Sequence, residues 1–486
     1  MEKSLLKNVA INFTGLILPV FVSLVTVPAY IHGMGVDRYG VINLVWALIG
    51  YFSVLDLGIS TATENHIAKA RHSTDGTIQR IFWSAFFLNV ATGLIGAALI
   101  WVGAYVYIEH IAAIEPVFQH EVLKALPWIA IAVPVANMSW VFSGAINGME
   151  KFTLFNVNQT IGTFLFQLLP LAALYLISPS LAVVVPAAVI ARLAAALLLG
   201  YGTCRAIGIK RVSKPEWPLI NELFRYGRWL LLYTGASAIS TSLDRVVIGS
   251  MLGARYVAYY ATPQNLITRL DLLPTAMLRT LFPRLSAAAS DHADEIAHQA
   301  LAFLNCVLTP CVVITLFALT PFLNIWLGHE MAHQSAPVGR ILVTGVWLVG
   351  QSRIISLLIQ AKANPAHVAL VGWVGLPIFA LALWLGIRWY GMLGVGMAVV
   401  AKSFFDYVGF LYFSKLKPQP IVRNMAGHLV FLVIATICSD SMDSLPRMAA
   451  IGLLLIVGNL IWSFWDSSEL RDVAARICRR FLPGMS

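Results

Sequence analysis

The sequence predicts an all-α polytopic membrane protein of about 14 transmembrane helices, two six-helix lobes in parallel repeat plus two C-terminal helices. Three observations carry that expectation. Hydrophobic residues make up 59% of the 486 residues and charged residues only 12%, about half the charged share of a soluble domain. Apolar runs of about 20 residues, the length of a helix that crosses a bilayer, recur along the whole chain. A short pattern also returns at the same topological position in each half.

The first six spans are expected at 9–31, 39–62, 79–107, 122–146, 155–177 and 181–206. The next six fall at 228–251, 256–284, 297–326, 338–361, 366–389 and 391–413, and the last two at 425–440 and 447–465. The thirteenth is short and ends in Ser439-Asp440. Lys3 and Lys7 precede a first run too long for a signal-peptide core and without a small-residue cleavage site, so it reads as a retained span. With the N-terminus inside, 22 basic residues face the cytoplasm. Only Arg38, Lys124, Arg255, Arg340, Arg388 and Arg447 fall outside. That bias sets both termini in the cytoplasm. It also explains the net charge of +10 as loop charge on a membrane protein, with no nucleic-acid partner.

The longest outer loop, around Glu109 to Glu121, is too short to be a domain and leaves no extramembrane place for chemistry. Cys204, Cys306, Cys311, Cys438 and Cys478 show no CxxC or disulfide spacing, and the four in or beside apolar runs read as small core hydrophobes.

Met34-Gly35-Val36-Asp37-Arg38-Tyr39 joins spans one and two, and Met251-Leu252-Gly253-Ala254-Arg255-Tyr256 joins spans seven and eight. Both follow an in-to-out helix, so the repeat is parallel. The organisation that follows is an N-lobe at 1–207, a cytoplasmic connector at 208–227 and a C-lobe at 228–415. Spans thirteen and fourteen occupy 416–465, and 466–486 forms a basic amphipathic cytoplasmic tail against membrane lipids.

Five cations interrupt the apolar runs: Arg192, Arg245, Arg269, Arg353 and Lys402. A charge at the bilayer centre costs roughly 2.5–3.5 kcal/mol on insertion scales, so such residues mark a cavity, a partner or an anionic ligand. Arg192, Arg269 and Lys402 fall near the middle of spans six, eight and twelve. Arg353 sits closer to the cytoplasm in span ten, and Arg245 nears the outer end of span seven. Lys402 has Asp406 at i,i+4 and so a local counter-ion. The arginine fork suits phosphate oxygens. These arginines therefore either meet an anionic substrate or pair with Asp56, Glu64, Asp244 or Asp271 of neighbouring helices. The same four acids are the candidates for ion coupling.

Two familiar patterns carry no chemistry here. His329-Glu330-Met331-Ala332-His333 matches HExxH, but it is expected in an outer loop ahead of Pro337 with no third ligand nearby, so no metal site is assigned. Gly391 to Gly396 mimics a phosphate loop without a preceding strand, and Gly144 with Gly148 has GxxxG spacing; both suit close helix packing. No nucleotide-binding motif or nucleophile elbow occurs, so neither a cofactor nor enzyme activity is expected.

Tyr39-Gly40-Val41 through Leu55-Asp56-Leu57-Gly58-Ile59 resembles the second span of bacterial polysaccharide-transporter proteins, the O-antigen and capsule repeat-unit flippases. Ser242-Leu243-Asp244-Arg245 to Gly249, Tyr259-Tyr260, Leu281-Phe282-Pro283-Arg284-Leu285-Ser286 and Ile325-Trp326-Leu327-Gly328 resemble later parts of the same family. The family lies within the multidrug/oligosaccharidyl-lipid/polysaccharide exporter superfamily. The resemblance implies a flippase of the bacterial inner membrane that moves undecaprenyl-pyrophosphate-linked oligosaccharide outward by alternating access. It also implies a place beside polysaccharide polymerase and chain-length machinery. Arg269, Arg353 and Arg192 are then the first contacts for pyrophosphate or acidic sugar. A cation-coupled multidrug exporter or an exporter of lipid II-like precursors is the alternative within transport. A polymerase or ligase, the alternative of another class, would carry a sizeable outer loop. A periplasm-active reporter fused after Glu115 should be active and one fused after Lys214 silent; the reverse pattern would invert the orientation.

Overall fold

The computed structural model describes residues 2–50, 56, 58–71, 73, 76–209, 211–362, 364–441, 444–467 and 471. All regular structure among them is helical. The chain forms α1 (Glu2–Gly50), α2 (Ile59–Lys69), α3 (Thr77–Val106), α4 (Pro116–Gly148), α5 (Phe152–Leu176), α6 (Leu181–Ile207) and α7 (Trp217–Met251). It continues as α8 (Ala254–Ile267), α9 (Leu272–Ala287), α10 (Ser290–Leu327), α11 (His329–Lys362), α12 (Ala366–Ser414), α13 (Pro418–Ser441) and α14 (Leu445–Asp466). Nine helices among the described residues are long and apolar enough to cross a membrane. The amphipathic tail and Cys478 lie outside the described residues, apart from Asp466, Ser467 and Arg471.

The differences from the expected spans lie at glycines and prolines. Two expected boundaries do appear: α1 is two helical segments that meet at Gly35 (φ 82, ψ 163), between spans one and two, and α12 is two that meet at Gly391 (φ 56, ψ −131), between spans eleven and twelve. Only a residue without Cβ takes such angles cheaply. Span eight is broken: α8 and α9 are separated by a 3-10 turn at Thr268–Asp271. Pro274 has no N–H for the carbonyl four residues back, and its ring crowds that carbonyl, so an unbroken α-helix through this point is disfavoured. The expected outer loop between Trp326 and Pro337 is not a loop. α10 ends at Leu327 and α11 begins at His329, with Gly328 (φ 87) as the turn.

The chain divides into two compact units, Met1–Ala258 and Tyr259–Ser486. In the first, Ile59, Ile67, Phe82, Val141 and Ala145 form a buried core of α2, α3 and α4. The GxxxG pair works as expected, because a Cβ on Gly144 would lie 2.3 Å from the Ser60 carbonyl and one on Gly148 2.7 Å from that of Glu64. α1 is tied to α5 by Thr26 donating to Gln167 at 3.1 Å, by Tyr30 donating to the Gln167 carbonyl at 2.8 Å, and by Tyr175 donating to the Ala29 carbonyl at 2.9 Å.

The second unit is held by a buried polar ladder. Gln351 of α11 donates to Asn305 of α10 at 2.5 Å, Asn305 to Asn424 of α13 at 2.7 Å, and Asn424 to Asp466 of α14 at 2.9 Å. Arg423 closes the end on Asp466 at 2.9 Å. One helical turn away, Trp347 donates to Thr309 at 3.1 Å, Thr309 lies 3.5 Å from the His428 ring, and that ring meets Asn459 at 2.6 Å. Such bonds between membrane helices are worth about 0.6 kcal/mol on average, reaching about 1.7. Hydrocarbon supplies almost no other partner for these groups.

The two copies of the repeated segment meet inside the first unit. Arg255 grips Asp37 with two hydrogen bonds, at 2.9 and 2.8 Å. Beside them a Cβ on Gly40 would lie 1.8 Å from the Ala254 carbonyl. The ion pair is half-exposed and contributes at most about 1 kcal/mol; the backbone contact is the stricter constraint. Gly40→Val should therefore cost about 1–3 kcal/mol through overpacking, read as a lowered unfolding midpoint in detergent, whereas Asp37→Asn should change it little.

Candidate functional site

The cations of the apolar runs divide into paired and unpaired. In the first unit Arg192 lies midway along α6, half-buried, with its guanidinium 4.6 Å from the Phe166 ring of α5 and 5.7 Å from the Trp46 ring of α1. The two rings pack 5.0 Å apart. Each cation–π contact returns about 0.5–2 kcal/mol, which offsets only part of the cost of placing the charge in an apolar layer. Among the described residues Arg192 meets no carboxylate. It is an oriented cation with aromatic walls and unused donors.

In the second unit Arg353 grips Asp271 with both arms of its fork: Nε meets Oδ1 at 2.7 Å, and an outer nitrogen meets Oδ2. The Arg353 side chain nonetheless keeps 42% of its surface accessible. Such a bidentate pair fixes α11 to the 3-10 turn ahead of α9. The same turn carries Arg269 two residues before Asp271. Arg269 is exposed and forms no ion pair among the described residues. Lys402 pairs with Asp406 one turn along α12, as the i,i+4 spacing predicts.

The acids are equally uneven. Asp271 is engaged by Arg353. Asp244 of α7 is 3% exposed and accepts the main-chain N–H of Arg245 at 2.7 Å. Glu64 is half-buried on α2, beside Asn147 of α4, in a recess shared with Thr61, Asn65, Ala68 and Lys69. Asp56 is 7% exposed just ahead of α2 and accepts the Ser60 hydroxyl at 2.6 Å.

Sequence reasoning missed the aromatic partners of Arg192 and the buried amides of both units. The carboxamides stood in plain view, since Asn137 is the lone Asn or Gln of the apolar run 122–146. The packing of Trp46 against Phe166 had no signal in the sequence, because aromatic residues are common throughout. His329 and His333 do share a helical face at the start of α11, with rings 6.3 Å apart, in place of the expected loop. Among the described residues no group of three His, Cys, Asp or Glu forms a metal site. Glu330 accepts instead from Tyr259 at 3.3 Å.

Residues 5–289 match the family described as Polysaccharide biosynthesis protein, more than half of the chain. The chain belongs to this family. Over 404 residues this polysaccharide biosynthesis protein is 25% identical to the Shigella flexneri protein named "Putative O-antigen transporter", covering 83% of this chain and 96% of that one. Its fold matches the lipid II flippase MurJ in an inward closed conformation, with a TM-score of 0.71 at 15% identity over 96% of this chain and 99% of that one. It also matches an inward-facing multidrug resistance MATE family transporter of the MOP superfamily, with a TM-score of 0.70 at 14% identity over 84% and 95%. The chain thus shares its fold with these two transporters.

The pairing of Arg353 with Asp271 gives a direct test. The partly exposed pair should show a coupling of about 1 kcal/mol in a double-mutant cycle. Asp271→Ala should destabilise the protein more than Asp271→Ala with Arg353→Ala, read by unfolding in detergent.

Proposed function

We propose that the protein is a flippase that carries undecaprenyl-pyrophosphate-linked oligosaccharide repeat units from the cytoplasmic to the periplasmic leaflet of the bacterial inner membrane. The observation that carries this reading is the pair of unneutralised cations, Arg192 in the first unit and Arg269 in the second. A pyrophosphate group needs charge-assisted donors, and arginine offers them in a fork matched to its oxygens. Arg353, held at a fixed angle by Asp271, keeps enough exposed surface to add a further donor. Arg245 lies toward the outer exit, and Lys402, tied to Asp406, is the weakest of the five.

The family membership and the O-antigen name of the Shigella flexneri relative support a lipid-linked sugar. The fold likeness to MurJ and the MATE transporter supports alternating access of an N-lobe at 1–207 and a C-lobe at 228–415. The contact of the two repeated segments through Asp37, Gly40, Ala254 and Arg255 would then be part of the closure on the outer side, and both termini would be cytoplasmic. Polymerase and chain-length proteins are the expected neighbours in the membrane.

The deciding experiment is complementation of a deletion strain. Arg269→Ala and Arg192→Ala should each reach the membrane yet lower surface polysaccharide at least about tenfold, a loss of roughly 1.4 kcal/mol or more in substrate contact. Lipid-linked repeat units should accumulate on the cytoplasmic leaflet. Full complementation by the combined Ala variant would refute the assignment, and accumulation on the periplasmic leaflet would point to a polymerase.

A further inference from the structure

Where α10, α13 and α14 of the second unit meet, the buried polar ladder borders a cavity of about 240 Å³. Its wall includes His298 and Asn305 of α10, Gln351 of α11, Arg423 and Asn424 of α13, and Asp466 at the end of α14. A single water needs roughly 10–15 Å³ on the same measure, so there is room for a larger guest. Between His298 and Asn305 α10 rises about 10 Å, which gives the cavity its depth.

The ladder dictates which atom is left over. Arg423 bonds Asp466 at 2.9 Å, and a carboxylate only accepts, so Asn424 must turn its nitrogen toward it, also at 2.9 Å. The Asn424 oxygen then takes the Asn305 nitrogen at 2.7 Å, and the Asn305 oxygen takes the Gln351 nitrogen at 2.5 Å. Each amide is set by the one before it, and the remainder falls on Gln351. That side chain is fully buried, and its oxygen meets no donor among the described residues. A buried acceptor without a donor is costly.

The charges of the cavity also have an order. The Asp466 side chain keeps 6% of its surface accessible and that of Arg423 keeps 71%, so the acid lies inward and the guanidinium at the mouth. Together they are neutral, which favours neither a simple anion nor a metal ion. Their complement is a zwitterion that enters with an amine leading and a phosphate trailing. An ammonium brings three donors, enough for the Gln351 oxygen and a spare acceptor position of Asp466 at once. A phosphate accepts from the outer arms of the Arg423 fork. Val422 and Ala426, beside Arg423 on α13, are apolar and exposed, so the mouth borders lipid.

We propose that this cavity is a site for an amine-bearing membrane phospholipid, with its phosphate on Arg423 and its ammonium on Asp466 and, after a small rotation of the Gln351 amide, on the Gln351 oxygen. A headgroup there would tie α10, α13 and α14 together at one end. In the orientation proposed above, the lipid belongs to the cytoplasmic leaflet. The assignment does not depend on the flippase reading.

The test uses the purified full-length protein in detergent, with unfolding midpoints followed as lipids of identical chains are added. Phosphatidylethanolamine should raise the midpoint saturably. Phosphatidylcholine should not, because its quaternary nitrogen keeps the charge but has no N–H. Phosphatidylglycerol, an anion without an amine, should not either. Arg423→Ala and Gln351→Leu, each measured from its own lipid-free midpoint, should raise the half-saturating mole fraction of phosphatidylethanolamine about tenfold or more. If Gln351→Leu fails to fold, Arg423→Ala decides, and if neither folds, the selectivity of the unaltered protein among the three lipids decides. A midpoint indifferent to phosphatidylethanolamine, an equal response to either other lipid, or a response retained in both variants overturns the site and leaves a cavity for water alone. Soluble phosphoethanolamine should act only at much higher concentration; equal potency would make the ligand a free solute and overturn the lipid assignment.

Discussion

Hydrocarbon offers no hydrogen bonds, and this single constraint governs the rest of the structure. Every polar group within the membrane layer must be satisfied by another part of the chain, by water in a cavity, or by a ligand. The second unit answers a large part of it with side chains. Gln351, Asn305, Asn424 and Asp466 pass hydrogen bonds from helix to helix, and the i,i+4 spacing of Asn305 with Thr309 and of Asn424 with His428 lets two rungs form side by side. Where the chain breaks its own helices, as at Thr268–Asp271, the break carries an arginine and a carboxylate in place of idle backbone.

The same constraint separates structural from functional charge. Lys402 and Arg353 both have carboxylates, so their presence is explained within the protein. Arg192 has only aromatic faces, and Arg269 has no ion pair among the described residues. Asp56 is the mirror case, an acid whose described neighbours are a hydroxyl, an N–H and an amide.

Much of this was legible in the sequence. The all-helical class and the succession of apolar helices follow from the apolar runs, which report directly on what the bilayer tolerates; nine helices among the described residues are long and apolar enough to span it. The i,i+4 pair of Lys402 and Asp406 was legible because it is local. The Arg353–Asp271 pair was visible only as one option among several, because it joins residues 82 apart and no periodic pattern records which helices adjoin. The kinks at Gly35 and Gly391 lay at expected span boundaries; the 3-10 turn inside span eight did not, because Pro274 in an otherwise apolar run weakens a helix without announcing where it yields. The tight turn at Gly328 was hidden by polar residues that look like a loop and instead begin a helix.

The ladder between α10 and α13 also bears on how the protein is made. Asn305 and Thr309 are synthesised more than a hundred residues before Asn424 and His428, so at first α10 has only Gln351 and Trp347 of α11 to answer its polar stripe. Until α13 arrives, the rest of that stripe faces lipid or the insertion machinery. Once it docks, a slip of one turn between the helices would break both rungs together, so the register is set in a single step. Docking of α13 and α14 therefore completes this ladder, and a chain released before α13 would display a polar seam that membrane quality control can recognise.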